Sequence, residues 1–378
     1  MSGRGLSVFR GSQWTVRNAA QCRTMQLRTF TSSVARQRSS VVPAFKPTSS
    51  PELDTLLQEV REKVILPSYL SKMQRDLIFK DKYKKTLEVE PVFAKIGDEE
   101  FRLQHIDLMN DVPSSQKSLR KAMSLMKERS DWENMTGLLA GIRRKSSNPQ
   151  QLNRVIIRAL GQAGRQDVLL ECLRQASQTG VRLRYFSTTF DALTALSAKA
   201  VESKWDAAET KKALRWSEQV LDLLEDPKHS PSEASPLFDS RRRPEVIGQV
   251  LQLAAVKASK HQDGKDLDGK VEQLSRRVLD CYSNTKEELS KGNVGSPNRI
   301  AYLHNSMLRF KVPLLHGMKI AEEVLGSDSD ITVQLKEKAT ELEEEVNSAY
   351  KSLIDSEWAK KTARGGVIAY ETLLSPKS

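Results

Sequence analysis

The sequence predicts an all-α fold, an α-solenoid of antiparallel helical hairpins closed by a long C-terminal capping helix. Three observations lead there. Hydrophobic residues make up 38% of the chain and aromatics only 6%, a supply that suits amphipathic helices sharing a thin, continuous core better than a thick sheet sandwich. Apolar residues recur three and four apart over most of the chain, the period of one helical face. Between Ser114 and Leu183 the text alternates helix and turn. It breaks at Asn148-Pro149 into two units of 35 residues, and a shift of 35 lays Leu125 on Leu160 and Leu138 on Leu173.

Residues 1–37 are expected to be a mitochondrial presequence. From Met1 to Pro51 there are eight basic residues and no acid, and isolated apolar residues such as Leu6, Phe9, Trp14 and Leu27 punctuate Arg- and Ser-rich text. A secretory signal would need an unbroken apolar stretch. The run Arg28-Thr29-Phe30-Thr31-Ser32-Ser33 resembles the two-step mitochondrial processing pattern, which implies cuts after Thr29 and again after Gln37. A basic tail on a protein of another compartment is the alternative. No window approaches the roughly 20 apolar residues of a membrane span, so the expected place is the matrix, including the matrix face of the inner membrane. Beyond Cys22, Cys172 and Cys281 lack a CxxC spacing and read as reduced, packed residues.

Residues 38–51, rich in Ser, Pro and Val and without a period, are expected as a flexible lead-in. An N-terminal helical segment, 52–113, follows. In it Leu53, Leu56, Leu57, Val60 and Val64 mark one helix, Pro67 starts a second with Leu70, Met73, Leu77 and Ile78, and Tyr83–Met109 holds only short elements. The hairpin-repeat domain spans 114–325. Its later pairs are Phe186–Ala200 with Ala207–Leu224, Glu245–Lys260 with Gly269–Cys281, and Asn298–Phe310 with Pro313–Leu325; a polar loop occupies Asp226–Pro244. Residues 326–378 form an acidic C-terminal helix and tail. From Ile331 to about Lys360, Leu335, Ala339, Leu342, Val346, Ala349 and Leu353 alternate by four and three, a seam for capping the repeats or for a partner coiled coil. Gly365-Gly366 reads as a turn before a strand-like tail, Val367–Leu374.

The second unit reads Leu152-Asn153-Arg154-Val155-Ile156-Ile157-Arg158-Ala159-Leu160-Gly161-Gln162-Ala163-Gly164-Arg165, then Asp167, Leu170, Leu173 and Gly180-Val181. It resembles a pentatricopeptide repeat; tetratricopeptide repeats share the architecture. The resemblance implies a helix opened by Asn153, a tight turn at Ala163-Gly164-Arg165, and an exit at Gly180-Val181. It further implies that Asn153 touches a base edge of RNA together with the last residue of the repeat. Here that residue is Leu183 instead of the usual Asp, Asn or Ser, so the two-residue base code is degraded.

Catalytic motifs are missing. The five histidines are scattered, no HExxH or paired-Cys metal spacing occurs, and neither GxxxxGK[ST], GxGxxG nor GxSxG is present. The expectation is therefore a non-enzyme with no cofactor, no metal and no small-molecule substrate. Charge is more informative. The formal net charge is +12, yet Gln116–Arg184 alone holds fourteen basic residues against five acids, whereas Glu322–Glu357 holds eleven acids and three lysines. A basic repeat face neutralises phosphates and releases counterions. The candidate RNA-binding residues are Lys117, Arg120, Lys121, Arg143, Arg144, Lys145, Asn153, Arg154, Arg158, Arg165, Arg182 and Arg184. For any one of these arginines, a solvated helix face is the ordinary reading. Two functions stay open: organellar gene expression, through RNA or the mitoribosome, and a protein-binding scaffold or assembly factor for a respiratory-chain complex. A protein partner for the acidic C-terminal helix fits either.

Overall fold

Pro51 in the first turn, Glu52 and Asp54 beside it, and Leu53, Leu56, Leu57 and Val60 on one face make α1, Pro51–Val60. It is the first helix of the computed structural model, which describes residues 41–143, 149–229, 239–284, 297–326, 329–356 and 365–375. The expected presequence, 1–37, lies outside them. The described residues divide into two compact units, one built on Leu70–His105, the other on Val42–Tyr69 and the residues from Ile106 onward.

In the smaller unit Ser71 and Gln74 form a reciprocal capping box that starts α2, Lys72–Phe79. A short α3, Lys84–Val89, follows. Next come β1, Phe93–Ile96, and β2, Glu99–Arg102, an antiparallel hairpin in which Ala94 faces Phe101 and Gly97 takes a positive φ at the turn. This is where the sequence promised short elements without naming them. The hairpin is the one sheet among the described residues, so the all-α class holds.

The larger unit corrects the flexible lead-in. From Val42, itself 1% exposed, the chain runs extended and anchored. The Lys46 backbone N–H donates to Asn134 Oδ1 at 2.8 Å and its carbonyl accepts from Asn134 Nδ2 at 3.0 Å. Ser49 donates its N–H and hydroxyl to Asp131 at 2.8 and 2.7 Å. A non-helical strap has no helical period to read, and Asn134 and Asp131 lie more than 80 residues away.

Two short helices follow in each of the two 35-residue units: α4 (Ser115–Leu125) and α5 (Met135–Ile142), then α6 (Pro149–Gln162) and α7 (Gln166–Arg174), with a last turn, α8, at Ala176–Thr179. Then come α9 (Phe186–Glu202), α10 (Ala207–Leu224), α11 (Pro244–His261) and α12 (Lys270–Asn284). From α6 onward the first helix of each pair packs on the first helix of the next, α6 on α9, α9 on α11, α11 on α13 (Pro297–Leu325). The second helices α5, α7 and α10 do the same in their own row. Every residue from Pro244 to Val256 of α11 is buried, the polar Glu245, Gln249 and Gln252 among them. No described helix is long and apolar enough to cross a membrane.

Gly164 has φ +66°, its N–H reaches Gly161 O at 3.0 Å, and the Arg165 N–H reaches Leu160 O at 2.8 Å, the double closure of a Schellman turn. An added Cβ would meet only the flexible end of Lys199, at 3.1 Å, so the constraint is the backbone. Gly164→Val is therefore expected to lower unfolding free energy by roughly 1–3 kcal/mol. Urea titration reads this directly, and a wild-type midpoint would mean that the turn can re-form without its left-handed residue.

Two further expectations are overturned. The pair Asn298–Phe310 and Pro313–Leu325 is a single 29-residue helix, α13, with Pro313 inside it. Val312, Leu314, Leu315, Met318 and Ala321 are fully buried around the proline. Burial of side chains such as Leu and Met, about 1.5–3 kcal/mol each, outweighs an interior proline's cost of about 3 kcal/mol. The strand-like tail is also helical: α15, Gly365–Leu373, lies on α13, with Gly366 N–H donating to Asn305 Oδ1 at 2.9 Å. There Gly366 leaves no room for a side chain. A short apolar run carries no period that separates strand from helix, so packing decides.

The C-terminal seam is α14, Asp330–Ile354, started by Ser329 accepting from Thr332 N–H. All six residues read from the sequence, Leu335, Ala339, Leu342, Val346, Ala349 and Leu353, are buried, and the helix packs on α13. The seam caps its own chain. Two of its carboxylates are used within the fold, Glu343 with Lys319 and Glu345 with Lys311. The expected extension to Lys360 passes outside the described residues.

Candidate nucleic-acid interface

Basic residues can bind phosphate only where the fold has not already neutralised them, and the structure separates the two groups. Arg143, at the end of α5, donates to the carbonyls of Ala176 (3.1 Å) and Ser177, capping the last turn before Gly180. Asn153, in the first turns of α6, donates Nδ2 to the Gly180 carbonyl at 3.2 Å and is 6% exposed. That corrects the base-reading role implied by the repeat resemblance. An Asn side chain aimed at a linker carbonyl that needs a donor is not presented to a base. Leu183, its expected partner in the code, is 1% exposed and equally withdrawn.

Arg154 Nε lies 2.9 Å and Arg158 3.2 Å from Asp191 Oδ2, and Arg309 of α13 takes the other carboxylate oxygen. Asp191 is buried on α9, so these arginines first tie three helices together. Arg165 is 5% exposed, forks onto Asp167 through two 2.9 Å bonds and caps the Arg129 carbonyl. Lys121 pairs with Glu52 at 2.9 Å. Arg144 and Lys145 lie outside the described residues. Of the predicted residues this leaves Lys117 and Arg120, exposed on α4, and Arg182 and Arg184, with no acidic partner among the described residues; Lys127, just past α4, joins them.

Residues 181–184 lie outside regular secondary structure, and their burial alternates. Val181 and Leu183 are buried, while Arg182 and Arg184 are half-buried together on the other side. Both arginines line a cleft of about 180 Å³ whose floor includes Leu119, Ile142 and Ile156 and whose rim includes Tyr185; no carboxylate is among its described walls. The Nε–H of each is buried without an acceptor among the described residues. Burial, and then the charge of Arg184, hold the Arg182 pKa below its ordinary value.

The position of this pair depends on His229, which sequence reading passed over as one of five scattered histidines. Its Nδ1 accepts from Leu183 N–H at 3.2 Å, which assigns the ring hydrogen to Nε2, donating to Leu173 O at 3.1 Å. Burial holds its pKa below the ordinary value and keeps the ring neutral, as Nδ1 acceptance requires. A histidine 46 residues downstream of the backbone it holds leaves no local signal. The described residues contain no cluster of His, Cys, Asp and Glu able to hold a metal.

Comparison with known proteins adds two findings. A family model described as mitochondrial ribosomal protein mS27 matches residues 28–372. The small ribosomal subunit protein mS27 of Neurospora crassa is 31% identical over 361 residues, covering 87% of this chain and 89% of that relative.

Proposed function

This chain belongs to the mitochondrial ribosomal protein mS27 family, and we propose from that premise that it sits in the small mitoribosomal subunit and holds RNA through the basic face of residues 117–184. The family makes it a non-catalytic component of mitochondrial translation on the matrix side. The observation that carries the RNA contact is the group of cations the fold leaves free. Lys117, Arg120, Lys127, Arg182 and Arg184 fall between residues 117 and 184, and their side chains make no ion pair among the described residues. Of the residues first picked out on charge, Arg143, Arg154, Arg158 and Arg165 hold the scaffold on which these five are displayed. In this reading the hairpin of 149–183 is a pentatricopeptide-like unit used as a rigid support and not as a base reader, within a solenoid of such pairs. Residues 1–37 serve as its import signal, which puts the mature N-terminus between Phe30 and Arg38. A respiratory-chain assembly role has no separate observation in its favour.

Affinity should then come from phosphate neutralisation, with little sequence preference. For single-stranded RNA, five neutralised phosphates correspond to a slope of about −3.5 in log affinity against log salt. Fluorescence anisotropy of the full chain with two labelled oligonucleotides of different sequence, over a salt series, measures both expectations. A slope near zero, or strong preference for one sequence, would overturn the reading.

A further inference from the structure

The uncovered cations are not equivalent. Lys117 and Arg120 extend into solvent from α4, where a lone cation is stable and needs no ligand. Arg182 and Arg184 share a cleft with an apolar floor, and both bury an Nε–H with no acceptor among the described residues. Two like charges brought together over low-dielectric walls repel each other, and each unsatisfied donor adds a desolvation cost. The arrangement costs stability, and the fold maintains it: Leu183 is pinned between the two arginines by His229 and by its own burial. A group that brings one negative charge and two or more acceptor oxygens would satisfy both guanidinium forks at once.

We propose that the Arg182–Arg184 cleft seats one backbone phosphate of an RNA strand, with Tyr185 at the rim stacking on the neighbouring base. This rests on the reading of the basic face as an RNA surface. The cleft volume of about 180 Å³ is below the roughly 300 Å³ at which pockets for whole small molecules begin, so it suits one group of a chain passing over it. A protein carboxylate carries the same charge. The phosphate is favoured because Tyr185, next to Arg184, is 46% exposed and offers an aromatic face. Lys117 and Arg120 belong to α4, the helix that supplies Leu119 to the cleft, and add exposed positive charge on that helix.

The test uses the full chain and a labelled 12-nucleotide oligouridylate, followed by anisotropy over a salt series. The double variant Arg182→Gln with Arg184→Gln is expected to bind roughly tenfold or more weakly, with the salt slope reduced by about one or more. Tyr185→Ala is expected to weaken binding several-fold at an unchanged slope. The charge-matched control, Lys211→Gln with Lys265→Gln at exposed positions elsewhere, should stay within about twofold of wild type. The melting temperature of the Arg182/Arg184 variant should not fall, since the change relieves repulsion. Replacing both arginines with Lys keeps charge and should still weaken binding, because the fork is lost.

Equal losses in the cleft variant and the control would overturn the seat and leave the RNA surface standing. So would wild-type binding by the Lys variant, or displacement of RNA more readily by polyglutamate than by unlabelled oligouridylate. Failure of the wild-type chain to bind RNA at any salt would overturn the underlying reading itself.

Discussion

Asp191→Ala should destabilise the chain by about 3–5 kcal/mol, the range found when one partner of a buried ion pair is removed. The carboxylate is buried on α9 and receives Arg154 and Arg158 from α6 and Arg309 from α13, the last from 118 residues away. The three guanidiniums are 25–49% exposed and can partly rehydrate, which argues for the lower end of the range. A fall in urea midpoint at unchanged denaturant slope is the expected result. A loss under about 1 kcal/mol would show instead that the arginines sit equally well in water, and would return them to the candidate RNA surface. The same geometry rules out a tempting experiment. Changing Arg154 and Arg158 to Glu would set two carboxylates against a buried third, so lost RNA binding in that variant would report unfolding.

The second large effect is expected at Asp131→Ala, also about 3–5 kcal/mol, with a different physical origin. Asp131 is 0% exposed and accepts four bonds: from Ser49 N–H and Oγ–H, and from the N–H groups of Lys127 and Glu128 at 3.0 and 2.9 Å. Removing it strands those donors and frees the strap of residues 42–50. Burial by itself would raise the carboxyl pKa, but the bonds from Ser49, Glu128 and Lys127 outweigh it and hold the group below its ordinary value of 3.8. A carboxylate depressed on folding contributes stability that is fully present above the unfolded value and is lost as pH falls through the folded one. The wild-type advantage over Asp131→Ala should therefore be constant near neutrality and shrink below about pH 4. Denaturant titrations of both proteins from pH 7 to pH 3 check it. A gap that stayed constant to pH 3 would mean that the carboxylate charge contributes nothing. If protection of residues 42–50 in hydrogen exchange were unchanged in the variant, the strap would owe its order to Val42 and its neighbours instead.

By itself the sequence determined what depends on residues within a turn or two of one another. The helical period placed α9, α10 and α14, with every seam residue of α14 buried where the alternation of four and three put it. Gly164 was legible because a left-handed turn needs a residue without Cβ. The concentration of cations in 116–184, Arg182 and Arg184 among them, was plain from counting. Which of those cations remain free was decided only by the tertiary structure. Arg154 meets its acid 37 residues on and Arg143 its carbonyls more than 30 residues on, while Arg184, just as basic in the text, meets none among the described residues. Pro313 continuing a helix, the 42–50 strap and His229 beneath Leu183 belong with them. Propensity and period act over three or four residues, whereas ion pairing and burial join whatever packing brings together, and a single chain records the first in its spacing and not the second.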